Sequence, residues 1–130
     1  IEYPGKLDLN WDGRLDDFNK NWLENVWLVE LNHFADHHQV PVAVNEFGVV
    51  RWIPGGADFI ADQMEYFETE GLNYALWQWE SSWPPLQEEI DAFNFRHGPN
   101  RYNHRDVDSS DLIDVIKGYW GLNTVRPSDW

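Results

Sequence analysis

Residues 40–48, Val-Pro-Val-Ala-Val-Asn-Glu-Phe-Gly, constrain the fold more than any other stretch of this chain. Val40, Val42, Ala43 and Val44 form an apolar run with almost no polar alternation, the pattern of a parallel strand covered on both faces. A strand is therefore expected over Val40–Asn45, with Gly48 releasing the backbone after it. A helix follows over Ala57–Glu70, with Ile60, Met64 and Phe67 as its buried stripe and Gly71 as its carboxyl cap. Leu72–Trp79 then forms a second strand. Another helix precedes this unit, from Asp16 to about His38, with Phe18, Trp22, Val26, Val29 and His33 at helical spacing and Asp16 and Asp17 near its start. Residues 1–14 are loop-like. Helix–strand–helix–strand at this spacing means parallel crossover units, so the fold class is α/β.

The ends of the two strands carry the chemistry. In α/β barrels the reactive groups stand at the carboxyl ends of the strands, which is where Glu46 falls, beside Asn45. The second strand ends in Trp77, Trp79 and Glu80. Flat indole faces stack on the apolar faces of sugar rings as they do on other planar partners. A carboxylate beside such a platform is the ordinary equipment of glycoside hydrolysis.

These residues carry a resemblance. The run from Val40 to Gly48, the helix ending at Gly71, and Leu72-Asn73-Tyr74-Ala75-Leu76-Trp77-Gln78-Trp79 resemble the seventh and eighth strands of glycoside hydrolase family 5. The match covers roughly residues 15–120, and its specific part is Glu-Phe-Gly after a buried strand with Trp-x-Trp on the next. The resemblance implies an incomplete (β/α)8 TIM barrel, with residues 1–130 as the carboxyl-terminal portion of a catalytic domain. It implies that Glu46 is the nucleophile of a retaining, cellulase-type β-1,4-glucanase without a catalytic cofactor or metal. Trp77 would form the floor under the sugar being cleaved, a position often followed by a cis peptide in that family. Asn45, Trp79, Glu80 and Trp83 would line the binding cleft.

The family's general acid/base lies on an earlier strand, in an Asn-Glu pair well before the nucleophile. Only forty-five residues precede Glu46, and the one Asn-Glu pair is Asn45-Glu46 itself. A closed barrel needs about 250 residues, so it is not expected to close within one copy of these 130. The expected consequence is open strand edges that recruit either further copies of the chain or a complementary amino-terminal half. Two other readings stand beside the enzymatic one: a non-catalytic carbohydrate-binding module using Trp77, Trp79 and Trp83, and a barrel fragment that merely assembles.

Composition sets the partners. With nine Lys+Arg against twenty-three Asp+Glu, the formal net charge is −14, which disfavours nucleic acid and anionic lipid while leaving neutral β-glucan compatible. Apolar residues make up 42% and aromatics 16%, nine of them tryptophan. Trp22, Trp27 and Trp120 lie in helical patterns and are expected to be structural. There are no cysteines, hence no disulfide or thiol chemistry. No stretch approaches the ~20 apolar residues of a membrane helix. The resemblance implies secretion, although no signal peptide is visible.

From Glu80 to Val107 runs a long connection, with a short helical turn near Gln87–Phe93, that should overhang the cleft. Trp83, Phe93, Phe95, Arg96, Arg101 and Tyr102 are its candidate substrate contacts, with Phe93 and Phe95 alternatively anchoring it to the rim. Ser109-Ser110-Asp111 caps a closing helix through Tyr119. A purely structural role for Glu46 would be an ion pair with a base such as Arg51. His33 and His37 share a helix face with His38 nearby. No Glu at position 34 completes a metalloprotease motif, and no third ligand is evident, so these histidines are expected to be solvated or at the core edge.

Overall fold

The computed structural model describes residues 1–79 and 87–122. It is a mixed α/β structure in which, among the described residues, the strands form two separate two-stranded sheets and no closed barrel. The first sheet is unexpected. Strand β1, Gly5–Leu7, pairs antiparallel with β2, Asp16–Phe18, with Lys6 opposite Asp17 and ion-paired to it. The connecting turn is held by side-chain oxygens: Asp8 accepts from the Asp12 and Gly13 amides, Asn10 from Asp12, and Asp12 from Arg14. Such short acceptors compete with helix formation locally.

Because Asp16–Phe18 is strand, the helix expected from Asp16 begins later, at Lys20. Asn19 caps it by accepting from the Trp22 amide at 3.1 Å. Its course is also irregular: α1 (Lys20–Trp22) runs into a π turn (Leu23–Trp27) before α2 (Val29–His38). The π turn adds a residue to one helical turn, with the Leu28 amide bonding the Leu23 carbonyl at 2.8 Å. The buried pair is thereby Leu23 and Leu28, five apart, rather than the 3.6-residue stripe. Val26, at 56% exposed, and Phe34, at 54%, turn to solvent, and α2 buries no residue completely. Trp22 is partly buried against Phe18, whereas Trp27 and Trp120, expected to be structural, are 50% and 40% exposed.

The crossover unit forms as expected. Strand β3, Ala43–Phe47, leads through a loop into α3, Gly56–Glu70, and then β4, Asn73–Leu76, which pairs parallel with β3. Gly71 ends α3 in the left-handed conformation at φ 66°, and its amide bonds back to the last turn. That conformation costs glycine least. β3 starts later and β4 stops earlier than the apolar runs suggest.

Helix α3 is the centre of the molecule. Ile60, Met64 and Phe67 on it are fully buried, and they share one cluster with Leu23, Phe95, Leu112 and Ile116. Phe67 meets Phe47 edge-on at 5.1 Å and Tyr74 at 5.4 Å, which joins α3 to both strands. After β4 come α4, Gln87–Phe93, a 3-10 turn, Phe95–His97, and α5, Asp111–Trp120, which packs on α3. Ser110 caps α5 as expected, its Oγ accepting from the Ile113 amide at 3.3 Å.

Among the described residues, only one face of the β3–β4 sheet is covered. Phe47, Tyr74 and Leu76 turn toward α3, whereas Ala43, Asn45, Asn73 and Ala75 are exposed. Among the described residues, each of these strands has a single pairing partner, which leaves two open edges. The expectation of a strand covered on both faces is corrected accordingly, since residues 1–79 and 87–122 offer no second layer.

Candidate active site

Glu46 owes its position to an irregularity in β3. Val44 pairs with Tyr74 and Phe47 with Leu76, so three steps along β3 match two along β4. The extra residue falls at Asn45–Glu46. Side chains alternate faces along a regular strand, which would send Glu46 to the helix side with Val44. The bulge breaks that alternation, and Asn45 and Glu46 are both exposed although adjacent. Bulges re-aim side chains in this way at barrel rims and beside active sites.

Trp77 follows directly on the neighbouring strand. Its amide bonds the Phe47 carbonyl at 2.7 Å, so the carboxyl ends of β3 and β4 are joined by main chain one residue beyond Glu46. The approach is tight. A Cβ on Gly48 would fall 2.0 Å from the Trp77 carbonyl oxygen, so Gly48 is there for lack of a side chain, not for backbone freedom. The Trp77–Gln78 peptide is cis, as the sequence resemblance implies for that position. Trp77 is half-buried, and its Nε1 is enclosed without a hydrogen-bond partner among the described residues.

Glu46 also lines a hollow of about 360 Å³ between the free edge of β3, the π turn with α2, and α3, walled by Trp27, Leu31, Phe59, Gln63 and Phe67. Arg51 does not pair with it. The Arg51 guanidinium, 3% exposed, donates instead to the carbonyl oxygens of Asp91, His97, Gly98, Asn100, Arg101 and Asn103. Burial lowers the proton affinity of Arg51, with Asp91 acting the other way. Glu46 has no ion pair among the described residues.

The remaining candidates separate. Asn45 is exposed next to Glu46. Trp79 packs on the core, and its ring meets Trp120 edge-on at 5.0 Å. Glu80 and Trp83 lie outside the described residues. In the long connection Phe95 is fully buried and anchors the segment. Arg96 pairs with Asp106, and Arg101 lies over Trp52 and Tyr102 at 5.4 Å each. Trp52, over which Arg51 also lies at 5.1 Å, was not singled out by the sequence pattern. The segment is tied back to the strand end by Gln78, whose amide bonds Phe93 and whose carbonyl accepts from Phe95.

His33, His37 and His38 are exposed on α2, with His33 3.7 Å from Glu30. A different group gathers in the connection: Asp91, His97 and His104. His97 holds its proton less tightly than a free imidazole, first because it is buried and next because Arg51 is near. No described helix is long and apolar enough to cross a membrane. No protein-family model matches the chain, and no curated protein matches it.

Proposed function

We propose that this chain contributes the last two strands of a family 5 type glycoside hydrolase barrel, in which Glu46 is the nucleophile for retaining hydrolysis of β-1,4-glucan. The observation that carries this reading is the bulge in β3. It turns Glu46 out of the strand's regular alternation at the strand end bonded to Trp77. Ala43, Asn45, Asn73 and Ala75 are exposed on the face away from α3, which corresponds to the lumen side of a barrel whose helices form the outer ring. Retaining chemistry needs a second carboxyl about 5–5.5 Å from the nucleophile, and another segment of polypeptide supplies it, together with the strands that cover the open face. Secretion and a neutral polysaccharide substrate accompany this reading. In the test, the chain is mixed with a six-stranded amino-terminal barrel half, and reducing sugar released from soluble cellulose is measured. Glu46→Gln should lower the rate at least a thousandfold, in the range of catalytic-residue removals, with glucan binding retained. Hydrolysis that survives the substitution would overturn the assignment.

A second reading, a fragment that assembles without catalysis, has its own support. Val26, Trp27 and Phe34 are at least half exposed, and among the described residues the parallel sheet has two open edges. Oligomers that bind glucan without cleaving it, with or without the amino-terminal half, would favour this reading.

A further inference from the structure

We propose that Asp91, His97 and His104 bind one divalent transition metal ion of the zinc class, which clamps α4 to the loop beyond the 3-10 turn. One donor atom from each residue lies within 4.8 Å of the other two. His104 Nδ1 stands 3.2 Å from Asp91 Oδ1. Two ligands about 2.0–2.1 Å from a tetrahedral zinc ion stand roughly 3.3 Å apart, so this pair already spans one edge of such a site. Closing the rest asks for movement of His104, which is exposed at the surface. Two imidazoles with one carboxylate select zinc, nickel or copper over calcium and magnesium, which prefer all-oxygen shells. Three protein donors leave a fourth position for water.

An independent observation points to the same place. The Nδ1 of His97 is enclosed and has no hydrogen-bond partner among the described residues. Buried polar atoms are rarely left so, because their lost hydration is not replaced. A bound ion nearby gives the ring a reason to be there. The surroundings are those that orient metal ligands. Gln87 Nε2 donates to Asp91 Oδ1 at 2.8 Å, Asn94 Nδ2 stands 3.2 Å from His97 Nε2, and Asp106 lies 4.0 Å from that nitrogen. This site does not depend on the glycosidase reading, and its ion holds the connection in place without entering the chemistry at Glu46.

The test is a titration of the metal-stripped full chain with zinc chloride by calorimetry, with cobalt(II) absorption as a second readout and thermal unfolding as a third. Saturation at one equivalent, visible cobalt bands of a tetrahedral site and a rise in Tm are expected. His104→Ala should weaken binding at least tenfold while leaving the metal-free Tm unchanged, because that side chain is exposed. Asp91→Asn serves as a second variant, with the same loss expected. His37→Ala on α2 should change nothing. Absence of saturable binding, binding unaltered in both His104→Ala and Asp91→Asn, or binding lost in His37→Ala would overturn the proposal.

Discussion

Gly48 shows how a single hydrogen in place of a methyl decides whether two strand ends meet. Its α-carbon faces the carbonyl of Trp77 so closely that an alanine Cβ would be 2.0 Å from the oxygen and 3.2 Å from the carbonyl carbon. Both atoms are main chain, so no rotamer change relieves the clash. Gly48→Ala should therefore cost about 1–3 kcal/mol, as other forced overpacking does, seen as a lower midpoint in urea unfolding. A loss below about 0.5 kcal/mol, the range of neutral surface changes, would mean that the close approach is not kept in solution. The sequence places Glu46 and Trp77 at strand ends correctly, because apolar runs and their terminal residues are local signals. It does not disclose the bulge at Asn45–Glu46 that leaves both side chains exposed, because register belongs to the pair of strands and not to either one. Nor does it disclose Asp91 on α4, His97 in the 3-10 turn and His104 in the loop beyond it, which have no motif spacing and meet only through tertiary folding.

Among the elements, the caps were legible and the irregularities were not. Gly71 and Ser110 stop α3 and start α5 where their residue types say they should. Asp16 looks like a helix start too, yet it pairs with Leu7 in a hairpin while Asn19 does the capping. Asn19→Ala should therefore destabilise the protein by about 1 kcal/mol, the usual loss for a removed amino-terminal cap. Asp16→Ala should not produce a cap-sized loss of helix signal. Circular dichroism during thermal unfolding of the two variants distinguishes them, and equal losses of helicity would contradict the assignment of Asn19. The π turn at Leu23–Trp27 defeats the 3.6-residue pattern. A reader counting Phe18, Trp22, Val26 and Val29 arrives at the wrong face, because one added residue rotates everything after it by about 100°.

Across the whole molecule, burial leaves a signature in the alkaline range. Tyr3, Tyr66, Tyr74 and Tyr119 all hold their protons more tightly than a free tyrosine. Desolvation is the main cause for each, with a hydrogen bond to Asp62 added at Tyr3 and one to Glu68 at Tyr74. A raised folded value means that this stabilisation is complete below the ordinary tyrosine value of about 10 and diminishes as pH rises beyond it. Absorbance at 295 nm and circular dichroism followed together from pH 8 to 13 should show tyrosinate from these groups emerging with loss of structure. Ionisation of all tyrosines near pH 10 in a chain that stays folded would contradict their burial. The α/β class, the central crossover and, among the described residues, the open strand edges could be read from the chain, whereas the β1–β2 hairpin could not, because its turn is held by side-chain acceptors in a stretch without apolar alternation. Arg51 has a different kind of reach. It grips six carbonyl oxygens between Asp91 and Asn103, atoms that every amino acid possesses. The path of that stretch through space is therefore set by one distant arginine, whatever side chains stand at the six carbonyls it holds, while Phe95 and Gly98 within it answer to packing demands of their own.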